Sequence, residues 1–194
     1  MKLFLIRHGQ TVANAGKTYS GHLDVKLSAH GIEEAKALRP VLSEFSFDRV
    51  YSSDLSRAID TQMLAMPDVE GIRTPLLREY DVGRLAGRDF GDPPADFTGD
   101  MDYCRRNRDY TPFGGENSQM VRERLCRFLK MLEEDPCENV AVFAHGGLMS
   151  SMLHIVLDAE IDRNAIITNN CCINVFDFDG KRWKLFAWNF RGNL

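Results

Sequence analysis

Apolar residues along the chain fall into two patterns that alternate from the amino terminus onward. Short segments with apolar residues at their centres, at 2–6, 48–52 and 139–144, predict buried strands. Between these runs, apolar positions recur at helical spacing, most clearly over 116–134. Three further helices are predicted. One begins at a Ser28 cap and ends at about 45, and the others span 54–66 and 148–157. Alternating strands and helices are typical of an α/β fold.

Two local features modify this pattern. Pro40 lies inside the first helical segment and is expected to bend or split that helix, because proline lacks a backbone N–H. The segments 174–178 and 183–188 flank Asp179-Gly180, which predicts a β-hairpin that turns there.

Residues 84–115 follow neither pattern. They contain three prolines and five aromatic residues, and they are long for a simple connection. Long loops in compact domains are often lids or binding loops. We therefore expect a single domain over 1–194 with a lid-like insertion at about 84–115; the alternative is an irregular segment packed on the surface.

Composition and charge narrow the class of protein. The 194 residues are 44% hydrophobic and 27% charged, as in an ordinary globular protein. The net charge of -4 argues against nucleic acid as a main partner, although a local basic pocket for a small anion is compatible with it. The apolar stretch before Arg7 is too short for a signal peptide or a membrane span, so we expect a cytoplasmic protein without a membrane partner.

Cysteine usage agrees with a reducing compartment. The chain has an odd number of cysteines and no C-x-x-C pair, so neither a disulfide framework nor a zinc site is indicated. The five are Cys104, Cys126, Cys137, Cys171 and Cys172.

Two of the predicted strands end in a histidine followed by glycine. Arg7-His8-Gly9 follows the first apolar run, and His145-Gly146-Gly147 follows 139–144. Ligands of open α/β sheets bind outside the carboxyl ends of the strands, so both histidines are expected at one rim. Arg7 beside the first histidine favours an anionic substrate.

Five sequence blocks, taken in order, resemble the histidine phosphatase superfamily, which has the phosphoglycerate mutase-like fold. The blocks are Arg7-His8-Gly9-Gln10-Thr11 with Asn14, Ser52-Ser53-Asp54-Leu55-Ser56-Arg57-Ala58 with Thr61, Glu79 with Gly83, Gly114-Gly115-Glu116, and His145-Gly146-Gly147. The resemblance spans nearly the whole chain. It implies a three-layer α/β/α sandwich with a mostly parallel central sheet.

The resemblance also implies catalytic roles. His8 would be the nucleophile that carries a transient phosphohistidine, and Arg7 and Arg57 would clamp the phosphate. His145 would be a second pocket histidine, cationic when phosphate is bound, and Glu79 would be the proton donor. A neutral imidazole is a competent nucleophile at pH 7 without a metal, provided that a hydrogen bond fixes its tautomer. A backbone carbonyl near Gly9 could supply that bond.

Substrate contacts are expected from a second set of residues. Asn14 resembles a neutral phosphate donor, the alternative being a helix cap. Gly146 lets a helix N-terminus approach the anion. The remaining candidates are Gln10 and Thr11 at the site mouth, and Ser20 and Gly21 on the substrate side, with His22 as a weaker candidate. We expect neither a metal nor a cofactor.

The leading functional hypothesis is a metal-independent phosphatase for small phosphomonoesters, either α-ribazole phosphatase-like or of broad specificity. The alternative is a cofactor-dependent phosphoglycerate mutase, and a non-catalytic phospholigand-binding module is the third. Three departures from the family pattern leave the substrate open: Leu85-Ala86-Gly87, Ser150 and Asn117 replace Trp-Glu-Gly, an arginine and a serine. The arginines Arg84, Arg88, Arg105 and Arg106 are expected either to meet a second anionic group or a nucleobase, or to form a solvated face. The oligomeric state is left open between monomer and homodimer.

Overall fold

A six-stranded sheet organises the structure, a computed structural model that describes residues 1–162 and 165–191. Its strands are β1 (Lys2–Arg7), β2 (Arg49–Ser53), β3 (Ile72–Thr74), β4 (Asn139–Ala144), β5 (Ile173–Phe178) and β6 (Trp183–Phe190). The helices are α1 (Val12–Gly16), α2 (Ala29–Leu42), α3 (Ser56–Ala65), α4 (Met101–Asn107), α5 (Ser118–Glu133) and α6 (Gly146–Leu157). Short 3-10 turns lie at Pro75–Leu77, Gly83–Leu85 and Thr111–Phe113.

The sheet is parallel over its first four strands and antiparallel at one edge. The strand order is β3-β2-β4-β1-β5-β6. Strands β3, β2, β4 and β1 are parallel to one another, β5 pairs antiparallel with β1, and β6 pairs antiparallel with β5. The register pairs Arg7 with Ala144, so β1 and β4 end side by side. The carboxyl ends of four strands therefore form one rim.

Apolar side chains cover both faces of the sheet. Along β1, Leu3 and Leu5 pack into one core, and Phe4 and Ile6 pack into the other, because successive strand residues point to opposite faces. Helices α5 and α6 cover the first face, and α2 and α3 cover the second. The predicted three-layer arrangement with a mostly parallel sheet is confirmed.

Most predicted elements are present, and Pro40 does not split the first helix. Helix α2 is continuous from Ala29 to Leu42 and contains Pro40. Pro40 is exposed and only two residues from the end of the helix. The carbonyl of Lys36, which loses its partner, is also on an exposed residue, so water can satisfy it.

The predicted hairpin between β5 and β6 is present, and α5 begins at a side-chain cap. The N–H groups of Lys181 and Arg182 donate to Asp179 Oδ1, each at 3.0 Å, and turn β5 into β6. Asn117 Oδ1 accepts from Met120 N at 3.0 Å and caps α5. The short elements α1, α4 and β3 have no counterpart in the sequence prediction, because each is too short to show periodicity.

The segment 84–115 contains α4 and has an apolar core of its own. Its side chains Leu85, Cys104, Tyr110 and Phe113 are buried against a small cluster with Tyr19, Tyr80, Val82 and Val121. Among the described residues, no helix combines the length and the apolar character needed to cross a membrane. All five cysteines are free thiols.

Candidate active site

Each of the four parallel strands leads into one part of a common site. Arg7 ends β1 and His8 follows it; His145 follows β4. Arg57 lies in the first turn of α3, directly after β2. Glu79 follows β3 and its 3-10 turn. The topology thus brings together the five residues that the family resemblance assigns to catalysis.

The tautomer of His8 is set by the backbone next to it. Its Nδ1 lies 2.7 Å from the carbonyl oxygen of Gly9, and the ring is buried. Because a carbonyl only accepts, Nδ1 carries the proton and Nε2 carries the lone pair. Gly9 is itself held by Thr61, whose Oγ1 accepts from Gly9 N at 3.0 Å. The hydrogen bond expected from a carbonyl near Gly9 is therefore present.

Arg57 is almost completely buried, at 1% exposure. Its Nη1 and Nη2 donate to the carbonyls of Leu23 and Gly21 at 3.1 and 2.8 Å. Its Nε donates to His145 Nδ1 at 3.2 Å. Three of its five N–H groups fix the guanidinium, and two remain for an anion.

The Arg57 contact sets the protonation of His145 in the site without an anion. Because Nδ1 of His145 accepts a hydrogen bond, the ring is neutral here and its proton is on Nε2; that it becomes cationic when phosphate is bound stays a prediction. Burial, then the charge of Arg57, hold the pKa of His145 well below its ordinary value of 6.5. Sequence alone could not show that a neighbouring guanidinium occupies this nitrogen.

Burial also lowers the pKa values of His8 and Arg57. Burial, then Arg57 and Arg7, hold the pKa of His8 well below 6.5. Burial lowers the pKa of Arg57 to about 10, against an opposing effect of Glu79. At neutral pH the site therefore combines two neutral imidazoles with two guanidinium cations.

The two histidine rings are in edge contact. Their centroids are 5.1 Å apart at an interplanar angle of 61°. Nearby, Arg7 Nη1 donates to the carbonyl of Thr168. Two buried nitrogens of this site, Arg7 Nε and His145 Nε2, have no hydrogen-bond partner within the described residues. Buried donors without partners are costly, and the oxygen atoms of an anion would satisfy them.

Glu79 lies against the first turn of α6. Its Oε2 accepts from Gly147 N, and its Oε1 accepts from Tyr80 N, both at 2.9 Å. A Cβ at position 147 would lie 2.1 Å from Glu79 Oε1, so a larger residue there would displace the carboxyl group from this position. The second glycine of His145-Gly146-Gly147 thus makes room for the carboxyl group.

The expected substrate contacts divide into two groups. Asn14, Ser20, Gly21 and Gly146 line the same cavity as Arg7, His8, Arg57 and Glu79, and this cavity has a volume of about 770 Å³. Asn14 also takes part in the cap of α1, where Thr11 is the N-cap residue and Asn14 Oδ1 accepts from Thr11 N at 3.1 Å, while its role as a phosphate donor stays a prediction. Its amide nitrogen is the atom that could donate to a phosphate.

Gln10 and Thr11 are not brought into the cavity lining. Gln10 Oε1 accepts from Ser28 Oγ at 2.8 Å, and Thr11 is buried as the N-cap of α1. Their side chains therefore support helix starts, which corrects the expected contact at the site mouth. His22 is also outside the lining and contacts the Glu79 backbone instead.

The opposite wall of the cavity comes from the insertion. Arg105, Arg106 and Arg108 line it, together with the aromatic rings of Phe90 and Tyr110. Arg84 and Arg88 do not line it; they pair with Asp96 and Asp92, at 2.8 and 3.1 Å. Arg108 was not anticipated: its guanidinium lies 5.1 Å from the Tyr80 ring centroid, and its Nη1 donates to Gly147 O at 2.5 Å.

A second unanticipated part is the segment that leads into β5. Thr168 lines the cavity, and Asn170 Nδ2 donates to the carbonyl of His8 at 3.0 Å. The predicted hairpin could have indicated this segment. If its first strand lies antiparallel beside β1, as β5 does, the residues before it must lie at the rim where β1 ends. Within 1–162 and 165–191, no three or more histidine, cysteine, aspartate or glutamate residues are grouped so that they could hold a metal ion.

Comparison with known proteins agrees with this fold and site. The family model of the histidine phosphatase superfamily (branch 1) matches residues 3–191, and the chain belongs to this superfamily. The adenosylcobalamin/α-ribazole phosphatase of Salmonella typhimurium is 34% identical over 157 residues, which are 79% of this chain and 78% of that protein.

Two further relatives extend the comparison. The 2,3-bisphosphoglycerate-dependent phosphoglycerate mutase of Rhizobium etli is 32% identical over 185 residues, which are 89% of this chain and 86% of that protein. The crystal structure of the α-ribazole phosphatase from Shigella flexneri has a TM-score of 0.89 at 29% identity, over 100% of this chain and 98% of that one. Relatives of the chain therefore include both hydrolases and a mutase.

Proposed function

We propose that the protein is a phosphatase that hydrolyses small phosphomonoesters through a phosphohistidine on His8, without a metal ion. The observation that carries the proposal is the state of the His8 ring. Its Nδ1 is held by Gly9 O at 2.7 Å, so the lone pair is on Nε2 in a site that also holds Arg7, Arg57 and His145. The low pKa of His8 keeps that lone pair available at neutral pH.

In the first step, His8 Nε2 forms a bond to phosphorus as the bond from phosphorus to the ester oxygen breaks. The electron pair goes to the leaving oxygen, and Glu79 in its acid form donates a proton to it. The guanidinium groups of Arg7 and Arg57 meet the charge that spreads over the equatorial oxygens. His145 adds an Nε2–H donor.

In the second step, the Glu79 carboxylate takes a proton from water as the water oxygen bonds to phosphorus. The bond between phosphorus and His8 breaks, and inorganic phosphate is released. Glu79 is then protonated again, ready for the next ester. One carboxyl group therefore serves as acid and then as base.

The first turnover tests the role of Glu79. The rate of alcohol release with an alkyl phosphate should fall by roughly 10²-fold or more in Glu79→Gln, because an alkoxide needs a proton to leave. With p-nitrophenyl phosphate it should fall far less, since p-nitrophenolate leaves without one. Equal losses with both esters would remove Glu79 as the acid.

A second test concerns the acceptor of the phosphoryl group. Phosphate release is measured over a panel of α-ribazole phosphate, sugar phosphates and nucleotides. Conversion of 3-phosphoglycerate in the presence of 2,3-bisphosphoglycerate is measured alongside. Release of inorganic phosphate with no isomer conversion supports the phosphatase, and rapid conversion with little release would make the chain a mutase.

For the substrate, we propose an α-ribazole phosphatase-like or a broad specificity. The wall opposite His8 combines aromatic rings, Phe90 and Tyr110, with the cations Arg105 and Arg106. Such a wall suits a phosphomonoester that also carries an apolar ring or a second polar group. The names of the Salmonella and Shigella relatives point to the same class of ester.

Inhibitors test the metal-free mechanism. Vanadate should inhibit, because its oxygen atoms can take the places of the transferring phosphoryl group between the two guanidiniums. EDTA should leave the activity unchanged. Loss of activity in EDTA that a divalent cation restores would contradict the mechanism.

We also propose features that neither the fold nor the comparisons test. They are a lid function of 84–115 within a single domain, a cytoplasmic location, and a monomer or homodimer without a nucleic acid or membrane partner. Proteolysis with and without vanadate would test the lid, since bound anion should protect a lid segment from cleavage.

A further inference from the structure

The Gly114-Gly115-Glu116 motif is absent from the lining of the phosphate cavity. It packs instead against the loop that carries Glu79. Glu116 N donates to the carbonyl of Asp81 at 2.8 Å, and Asp81 N donates to Glu116 Oε2 at 2.9 Å. A Cβ at position 115 would lie 2.3 Å from Asp81 O, so glycine is needed for this approach.

The main-chain carbonyl of Glu79 accepts two hydrogen bonds. One comes from His22 Nε2 and the other from Arg124 Nη2, both at 2.9 Å. Arg124 is on α5 and is buried, and its Nη1 also donates to the carbonyl of Leu76 at 2.8 Å. Both ends of the segment from Leu76 to Glu79 are thus attached to α5.

Glu116 connects the loop that carries Glu79 to Arg124 on α5. Its carboxylate accepts from Arg124 Nε at 3.0 Å and from Arg124 Nη2 at 3.2 Å, in addition to Asp81 N. A charge pair that is largely buried and shares several hydrogen bonds has little freedom to move. His22 Nε2 lies 3.9 Å from the same carboxylate.

We propose that His22, Glu116 and Arg124 form a brace that positions Glu79 for proton transfer. The inference rests on the proposed role of Glu79 as proton donor. The Glu79 carboxyl accepts from Gly147 N on α6 and from Tyr80 N, the next residue of its own loop, so the place of this main chain affects where the proton is delivered. The brace holds that main chain from the side away from the cavity. Its members are positioning residues, because they act through Glu79.

The first test is His22→Ala, since this side chain is partly exposed and lies outside the sheet cores. Alcohol release from an alkyl phosphate in the first turnover should fall about tenfold, because small misplacements of a catalytic group are costly. Release from p-nitrophenyl phosphate should change less than about twofold. His22→Gln should restore much of the rate, because its amide nitrogen can replace Nε2 as donor.

A double variant separates positioning from general damage. In the Glu79→Gln background, His22→Ala should cause no further loss with the alkyl ester, because the group it positions no longer transfers a proton. Glu116→Gln, which keeps the shape of the side chain, should show the same leaving-group dependence as His22→Ala. His30→Ala serves as the matched control, since the His30 side chain is 68% exposed and pairs only with Glu34.

Two outcomes would overturn the brace. Equal losses with both esters would mean that His22 acts on the whole site, for example through the Gly21 and Leu23 carbonyls that hold Arg57. Additive losses in the double variant would mean that it does not act through Glu79. If Glu79→Gln itself lowers the rates with both esters equally, the proposed acid fails and the brace fails with it. If Glu79→Gln shows the expected difference between the esters and His22→Ala does not, the brace alone fails.

Discussion

Two walls of the same cavity are held in different ways. On the sheet wall, Arg57 is 1% exposed and is bonded to carbonyls at 21 and 23 and to the ring of His145. On the insertion wall, the Arg106 side chain is 68% exposed, and Arg105 bonds to Asp102 and to Phe90 O, both within 84–115. From this difference we propose that the sheet rim fixes the chemistry and that exposed arginines of the insertion, such as Arg106, contribute to substrate selection. The insertion is still attached to the rim through Arg108, which donates to Gly147 O.

The first and largest predicted effect is that of removing the nucleophile from the sheet wall. His8→Ala should lower turnover of every phosphomonoester by roughly 10⁴-fold or more, because no second group of the site can form the covalent intermediate. The circular dichroism spectrum should be unchanged. His30→Ala is the matched control with full activity. Substantial turnover by a folded His8→Ala protein would end the mechanism.

The second is that of altering the clamp while keeping its charge. Arg57→Lys retains a cation but loses the planar set of donors that bonds to Gly21, Leu23 and His145. We expect kcat/KM to fall by roughly 10²-fold for all substrates alike. The measurement is kcat/KM for p-nitrophenyl phosphate and for the best natural ester. A folded variant that retains activity within about threefold would show that the charge alone suffices.

The sheet wall was largely predictable, and the insertion wall was not. His8 and His145 follow apolar runs whose carboxyl ends lie at one rim of a parallel sheet, so local pattern and family resemblance were enough for them. The contact of Arg57 with His145 joins residues 88 positions apart, and the Asn170 bond to His8 O spans 162. Such contacts depend on packing that periodicity does not encode. In 84–115 there is no periodicity to interpret, which is why Arg108 was missed.

The third prediction concerns the insertion wall. Arg106→Ala should change the relative kcat/KM of different natural esters by about fivefold, the value expected for a largely exposed charge. Turnover of p-nitrophenyl phosphate should stay constant, because the clamp is untouched. Arg84→Ala is the matched control, since Arg84 pairs with Asp96 in the same insertion but does not line the cavity.

The result for Arg106→Ala decides between two roles of the insertion. A shift in preference among esters assigns selection to the insertion. A uniform loss that includes p-nitrophenyl phosphate would show that the insertion supports the chemistry as well, and the division between the walls would fail.

The smallest expected effect is on stability. The pKa values of His8 and His145 lie well below 6.5 in the folded chain, so below that pH the unfolded chain binds protons that the folded chain does not. Stability that is present above pH 6.5 is therefore lost as the pH falls, by at most about 1.4 kcal/mol per pH unit for each histidine. Denaturant unfolding from about pH 7.5 to about pH 5.5 measures this slope.

Removal of one histidine checks the origin of the slope. His8→Gln should show a shallower loss of unfolding free energy with falling pH than the unsubstituted chain. Identical slopes in the two proteins would mean that His8 does not titrate in the way its burial requires.

The central claim is that phosphate is transferred to His8. The most direct measurement is rapid acid-free quenching of Glu79→Gln with p-nitrophenyl phosphate, followed by mass spectrometry under alkaline conditions, because phosphohistidine is labile in acid. The account predicts one phosphoryl group per chain, located on His8, and none when His8→Ala is added. Turnover with no phosphorylated protein, or a phosphoryl group on another residue, would contradict it.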